Sequence, residues 1–115
     1  MEKLFTYGTL RDPATQVQLL ERELGEGKPD SLRGYRLANL RGIHFVYSIL
    51  QPHPGSMVDG QLFEVTGEEL QKLDDYEGDA YQRVSVTLVS KTRAWAYIEN
   101  PKSSFRIHIE PPDQA

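Results

Sequence analysis

Apolar positions along the chain fall into two rhythms, and the switches between them mark the elements. Leu4, Phe5 and Tyr7 crowd a short stretch, Lys3 to Tyr7, that predicts a first strand. Asp12-Pro13 then supplies a helix start, an aspartate cap followed by proline at the first helical position. Val17, Leu20 and Leu24 share one helical face, with Leu19 beside them, and Gly25 and Gly27 are the expected stop. Lys28-Pro29-Asp30 reads as a loop, and Leu32 to Leu40 as a strand that Gly42 interrupts. Phe45 to Leu50 is a further apolar stretch, closed by a turn in "QPHPGS". Val58 to Val65 alternates as a half-buried strand does. Thr66 and Glu69 have the spacing of a capping box, which predicts a helix over Thr66 to Tyr76 with Leu70, Leu73 and Tyr76 as its apolar stripe and Gly78 as its stop. Tyr81 to Ser90 alternates again, with Val84, Val86 and Leu88 on one face, and a tight turn near Lys91-Thr92 leads into a strand over Arg93 to Glu99. Phe105, Ile107 and Ile109 alternate with polar residues as a last strand or extended edge, and "PPDQA" reads as frayed.

The resulting order is β-α-β-β-β-α-β-β. Strands that cluster in this way point to an α+β fold with a mostly antiparallel, barrel-like sheet, not a doubly wound parallel one. A length of 115 residues suits one domain over 1–115, with about 15 C-terminal residues extended or frayed.

Composition then removes whole classes of function. The net charge is −4 and no lysine or arginine run occurs, so a nucleic-acid partner is disfavoured. No apolar run approaches the roughly 18 residues of a membrane span, and no signal-peptide pattern opens the chain. The absence of cysteine excludes disulfides, thiol nucleophiles and cysteine-held zinc, and fits a cytoplasmic protein. His44, His53 and His108 are isolated and lack metal-ligand spacing, so no histidine-held metal is expected; the acidic run Asp74 to Asp79 is a weak metal candidate, without the spacing of an EF-hand loop.

Two short motifs carry candidate chemistry. "YGTLR", Tyr7 to Arg11, joins a strand end to a helix start. Such a loop aims unpaired N–H groups outward, suits a carboxylate or phosphate, and gains a hydroxyl from Thr9 and a charge from Arg11. An ordinary strand–turn–helix connection has the same pattern. The loop lacks the Gly-Lys-Ser/Thr end of a P-loop and two of the three glycines of a dinucleotide fingerprint. "LDDYEGD" gathers Asp74, Asp75, Glu77 and Asp79 at the C-terminal end of the second helix, where the dipole disfavours negative charge. Like charges raise one another's pKa, and a carboxyl group poised near neutrality suits a general base. A solvated acidic turn would look alike. No GxSxG elbow is present. Trp95 and Tyr97 share one face of a strand, as core or as the wall of a cavity.

Taken together, "LFTYGTLR" and "LDDYEGDAYQRVSV" resemble the gamma-glutamylcyclotransferase-like family, in the single-domain manner of its γ-glutamylamine cyclotransferases. Gly34-Tyr35, "VDGQLFEV" and "WAYI" agree in place, so the resemblance spans roughly residues 3 to 100. It implies a small mixed, mostly antiparallel barrel-like sheet with two main helices packed on it. It also implies an activity: the α-amine of a small γ-glutamyl amine or amino acid attacks its own γ-carbonyl, giving 5-oxoproline and a free amine without a metal or cofactor. Carried over by motif, Glu77 is the general acid/base and Tyr7, Gly8, Thr9 and Leu10 form the substrate loop. Arg11 and Tyr81 match the pattern as further substrate-binding residues. A non-catalytic small-molecule binding domain of the same fold, or cleavage of an amide with a different acyl group, would keep the same motifs. The leaving amine would be chosen by loops such as Arg41 to Ser56, and no oligomeric state follows from the motifs.

Overall fold

A straight strand of twenty residues would be roughly 65 Å long. The strand Val46–Val65 has twenty residues, yet the molecule's longest dimension is 35 Å, so this strand must bend. The computed structural model describes residues 1–41, 46–102 and 108–110. Along them run β1 (Glu2–Thr6), a 3₁₀ turn (Thr9–Arg11), α1 (Pro13–Leu20), β2 (Lys28–Arg41), β3 (Val46–Val65), α2 (Gly67–Glu77), a 3₁₀ turn (Gly78–Ala80), β4 (Tyr81–Thr87), β5 (Arg93–Glu99) and β6 (His108–Glu110).

The six strands form one sheet in the order β4-β5-β1-β3-β2-β6. All neighbours are antiparallel except β1 and β5, which run parallel through Leu4 and Trp95. The fold is thus α+β with a mixed, mostly antiparallel sheet, as the pattern implied. One face of the sheet buries Phe5, Leu32, Leu50, Val58, Val86, Leu88 and Ile98. The helices contribute to a second cluster, in which Leu20 of α1 and Leu70 and Leu73 of α2 meet Leu4, Val65 and Tyr97. Strand alternation explains the split: Leu4 and Phe5 are adjacent in β1 and point to opposite faces.

Several expected boundaries move. Lys28-Pro29-Asp30 is not a loop but the start of β2, paired with Leu62, Gln61 and Gly60. "QPHPGS" does not separate two strands. It lies within β3, where the register with β2 jumps from Arg33↔Met57 to Tyr35↔Pro52. One residue, Gly34, thus faces four, 53–56, and positive φ at Gly34 (86°) and Gly55 (88°) admits the kink. α1 stops at Leu20, before the two glycines, because Glu21 takes the left-handed conformation and donates its N–H to the Val17 carbonyl at 2.9 Å. Its buried residues are Gln16 and Leu20, while Val17 is exposed. Gln16 is buried because it is satisfied: its Nε2 donates to the Leu10 carbonyl (2.9 Å) and its Oε1 accepts from the Leu24 N–H (2.7 Å).

α2 begins as expected. Thr66 Oγ1 accepts from the Glu69 N–H (3.1 Å), and Glu69 Oε1 accepts from the Thr66 N–H (2.8 Å). The Glu69 carboxylate is also held by Arg22, Nε to Oε2 at 2.7 Å and the terminal nitrogen to Oε1 at 2.8 Å. Leu70 and Leu73 are buried, but Tyr76 is exposed, so the apolar stripe is one residue shorter than its spacing suggests. Gly78 closes the helix with φ 69°. β4 and β5 form the expected hairpin; the turn lies over Leu88–Lys91, with the Lys91 N–H on the Leu88 carbonyl at 2.8 Å. Of the segment 105–110, only 108–110 lies within the described residues, as β6 on Asn39–Arg41; "PPDQA", Gly42 and His44 lie outside them.

Candidate active site

β1 lies between β3 and β5 and leaves the sheet at Thr6, which sends Tyr7 and Gly8 out beyond its end. The chain then tightens into the Thr9–Arg11 turn. The Gly8 carbonyl accepts both from the Arg11 N–H (3.2 Å) and from Arg11 Nε (3.1 Å), so the arginine braces the loop that carries it. The N–H groups of Thr9 and Leu10 precede the first bond of this turn and have no partner within it. Asp12 follows as the cap of α1, its Oδ2 accepting from the Thr15 N–H at 3.2 Å.

α2 approaches the same place from the other side, and its last residue is Glu77. Between loop and helix end lies a cavity of about 500 Å³. Tyr7, Gly8, Thr9, Leu10, Arg11, Glu77 and Tyr81 border it, whereas Asp74, Asp75 and Asp79 of the acidic motif do not. That volume is within the range of small-molecule sites.

Glu77 is partly buried, and its carboxyl group makes no hydrogen bond among the described residues. Burial pushes its pKa up to about 7. The physical cause is loss of water, not the like-charge crowding that the acidic run suggests. Asp74, one turn earlier, goes the other way. Arg83 grips it in a fork, Nε to Oδ1 at 2.8 Å and the terminal nitrogen to Oδ2 at 3.0 Å, and the Tyr97 hydroxyl donates to Oδ1 at 2.6 Å. The Arg83 hydrogen bonds, then that of Tyr97, hold the Asp74 carboxyl below its usual range. Two carboxyl groups on one helical turn are thus pushed apart in pKa, which leaves Glu77, not Asp74, poised to exchange a proton near neutrality. Asp75 and Asp79 are exposed.

The tyrosines tie the walls together. Tyr7 donates its hydroxyl to the Tyr97 carbonyl (2.8 Å), and Tyr81 donates to the Ser48 carbonyl (2.9 Å). Burial first, then the neighbouring Tyr81 and Glu77, raises the Tyr7 pKa well above its ordinary value. Burial and the bond to Asp74 raise that of Tyr97. Both phenols therefore stay protonated and act as donors.

Tyr97 is a cavity wall, one of the two readings its strand position allowed; Trp95 is not. Its ring lies 4.3 Å from the Arg83 guanidinium, and its Nε1 donates to Glu2 at 3.0 Å. Thr6 and Ser48 also border the cavity, and the sequence marks neither. Thr6 Oγ1 is buried without a hydrogen-bond partner among the described residues. His53 is on the kink of β3, with its Nδ1 2.6 Å from Ser56 Oγ, and does not border the cavity. Among the described residues, no three His, Asp or Glu side chains gather as metal ligands would, and no helix is long and apolar enough to cross a membrane.

Residues 4–113 match the family described as gamma-glutamyl cyclotransferase, AIG2-like. The chain belongs to this family. Among AIG2-like relatives, it is 33% identical over 90 residues to AIG2-like protein A of Arabidopsis thaliana, covering 77% of this chain and 53% of that protein. It is 28% identical over 109 residues to Protein AIG2 C of the same plant, covering 86% and 64%. The chain thus spans between half and two thirds of the length of these relatives. A solution structure from Arabidopsis thaliana superposes with a TM-score of 0.76 at 30% identity, over 89% of this chain and 70% of that one. A solved gamma-glutamyl cyclotransferase superposes with a TM-score of 0.70 at 16% identity, over 96% and 70%, which is a likeness of fold.

Proposed function

We propose that the protein is a γ-glutamyl cyclotransferase in which Glu77 carries the proton. One observation supports this most: a partly buried carboxyl group with its pKa raised to about 7 faces the Tyr7–Arg11 loop across a small-molecule cavity. In the reaction, the α-amine nitrogen of the substrate bonds to its γ-carbonyl carbon, and the bond from that carbon to the departing nitrogen breaks. The attack is intramolecular, so the enzyme supplies no nucleophile. It folds the substrate into a near-attack shape. The α-nitrogen loses two protons on its way from ammonium to lactam N–H, one to free its lone pair and one as the ring closes, and the departing nitrogen gains one. The first goes to water; Glu77 takes the second and returns it to the departing nitrogen, and a carboxyl group near neutrality is a stronger base than an ordinary glutamate while still able to donate.

The loop amides of Thr9 and Leu10 suit the substrate α-carboxylate, or the oxygen of the γ-carbonyl as charge gathers on it. Arg11 adds positive charge at the rim, and Tyr7 and Tyr81 fix the walls. Nothing in this sequence of steps calls for a metal.

The test is a panel of γ-glutamyl amines and amino acids, with 5-oxoproline detected by mass. Turnover of at least one member is expected, and Glu77→Gln should lower kcat by ~10²–10⁴ with binding kept. Binding without turnover would make the protein a small-molecule binding domain instead. Near-normal turnover by Glu77→Gln would remove Glu77 from the mechanism.

A further inference from the structure

Glu77 borders two cavities. Beyond the large one lies a smaller space of about 270 Å³, lined by Asp74, Glu77, Gly78, Tyr81, Arg83 and Tyr97. A guanidinium and the Glu77 carboxyl group therefore share the walls of one small space. Oppositely charged groups in such a space attract strongly, and a contact of this kind lowers a carboxyl pKa by about 1–3. It would cancel what burial does to Glu77.

The cation is held elsewhere. Arg83 spends Nε and a terminal nitrogen on Asp74, at 2.8 and 3.0 Å, and lies 4.3 Å over the Trp95 ring. Tyr97 donates to the same Asp74 oxygen that Nε uses. Asp74 precedes Glu77 by three residues, so the two carboxyl groups occupy one face of α2, and Asp74 is the one that holds the guanidinium.

We propose that Asp74 is a positioning residue that holds the Arg83 guanidinium off the Glu77 carboxyl group and so keeps Glu77 available as a proton carrier. The inference rests on the role given to Glu77 above. Among the described residues, the remaining charged and titratable groups at Glu77 are Tyr7 and Arg11 from the loop after β1, Tyr76 from α2, Tyr81 from β4 and Tyr97 from β5. Asp75 and Asp79 are exposed on its own segment. Arg11 is the second cation, and its Nε donates to the Gly8 carbonyl. It stays unchanged in every variant below, so a shift can be assigned to Arg83.

The experiment is a direct titration of Glu77 by NMR. Glutamate side-chain carboxyls are labelled with carbon-13, and the Glu77 signal is assigned by its loss in Glu77→Gln. Its midpoint is then followed in the wild type, Asp74→Asn, Arg83→Gln and the double variant. Asp74→Asn should lower the midpoint by about 1–3 pH units, as the freed cation turns to Glu77. Adding Arg83→Gln should restore it. Arg83→Gln alone should leave it level or raise it, since the charge of Asp74 then stands uncompensated one turn away. An ion pair that only braced the fold would predict something else: both single variants would admit water and lower the midpoint together. An unmoved or raised midpoint in Asp74→Asn, or a fall that persists in the double variant, overturns the proposal. Where Asp74→Asn does not fold, Arg83→Gln decides alone, and a lowered midpoint there overturns it. The titration needs no turnover, so its result is separate from whether the protein cyclises a γ-glutamyl substrate.

Discussion

Ionising Glu77 costs the folded chain free energy. Its folded pKa of about 7 lies above the value of 4.5 in an open chain, so below pH 4.5 both states hold the proton and the residue is neutral to stability. Between those values the unfolded chain releases the proton first, and stability falls as pH rises; above 7 the full cost applies. Glu77→Gln removes an ionisable group without changing shape. It should raise the melting temperature at pH 8, by a gain of up to roughly 3 kcal/mol, and leave it unchanged at pH 4. Thermal unfolding at the two pH values checks this, and an equal effect at both would contradict it. Gly8 makes the opposite point. Its φ of −125° is open to any residue, and a Cβ there would meet nothing within 4 Å. Gly8→Val should therefore fold normally yet weaken binding of a γ-glutamyl analogue by about tenfold or more, because the new side chain enters the substrate's space. Calorimetry with a matched melting curve separates the two effects. Gly8 and Glu77 were legible because each lies in a short contiguous motif. Tyr97 and Arg83 touch Asp74 only through the tertiary fold, and the sequence could not say that Asp74 and Glu77 have opposite environments.

At the scale of an element, α2 was readable because both its ends carry their own chemistry. Thr66 and Glu69 close the capping box and Gly78, at a positive φ, supplies the stop. Thr66→Ala should cost about 1 kcal/mol of stability while leaving kcat nearly unchanged, since the cap is at the end of α2 opposite Glu77. Chemical denaturation measures the first and steady-state turnover the second; a large loss of turnover would mean that the cap sets the aim of Glu77. α1 was legible at its start, where Asp12 and Pro13 act locally, and not at its end. There Glu21 adopts a conformation that favours glycine, and two real glycines stand four and six residues further on. The turn expected at "QPHPGS" has the residues of a turn, but pairing with β2 on both sides keeps it inside one strand.

Across the whole molecule, the sheet order was not legible, because it depends on pairings between distant segments. One glycine shows how closely these pack. A Cβ on Gly60 of β3 would collide with the Thr6 carbonyl oxygen and come within 2.8 Å of the Phe5 ring. Gly60→Ala should cost about 1–3 kcal/mol, as overpacking does, and should weaken ligand binding too, because Thr6 leads directly into Tyr7. Wild-type stability in that variant would mean that β1 and β3 can part without loss. The placement of β1 has a further consequence. One of its neighbours comes from residues 61–65 and the other includes Trp95. During synthesis β1 emerges early and must wait for both. Until β5 has left the ribosome, one long edge of β1 is bare and Tyr7 lacks the Tyr97 carbonyl that holds it. Closure over such separations is slow, which leaves nascent chains exposed to wrong pairing. A ribosome stalled before Arg93 should therefore carry a chain that neither binds ligand nor resists protease, and both properties should arrive together once β5 is free.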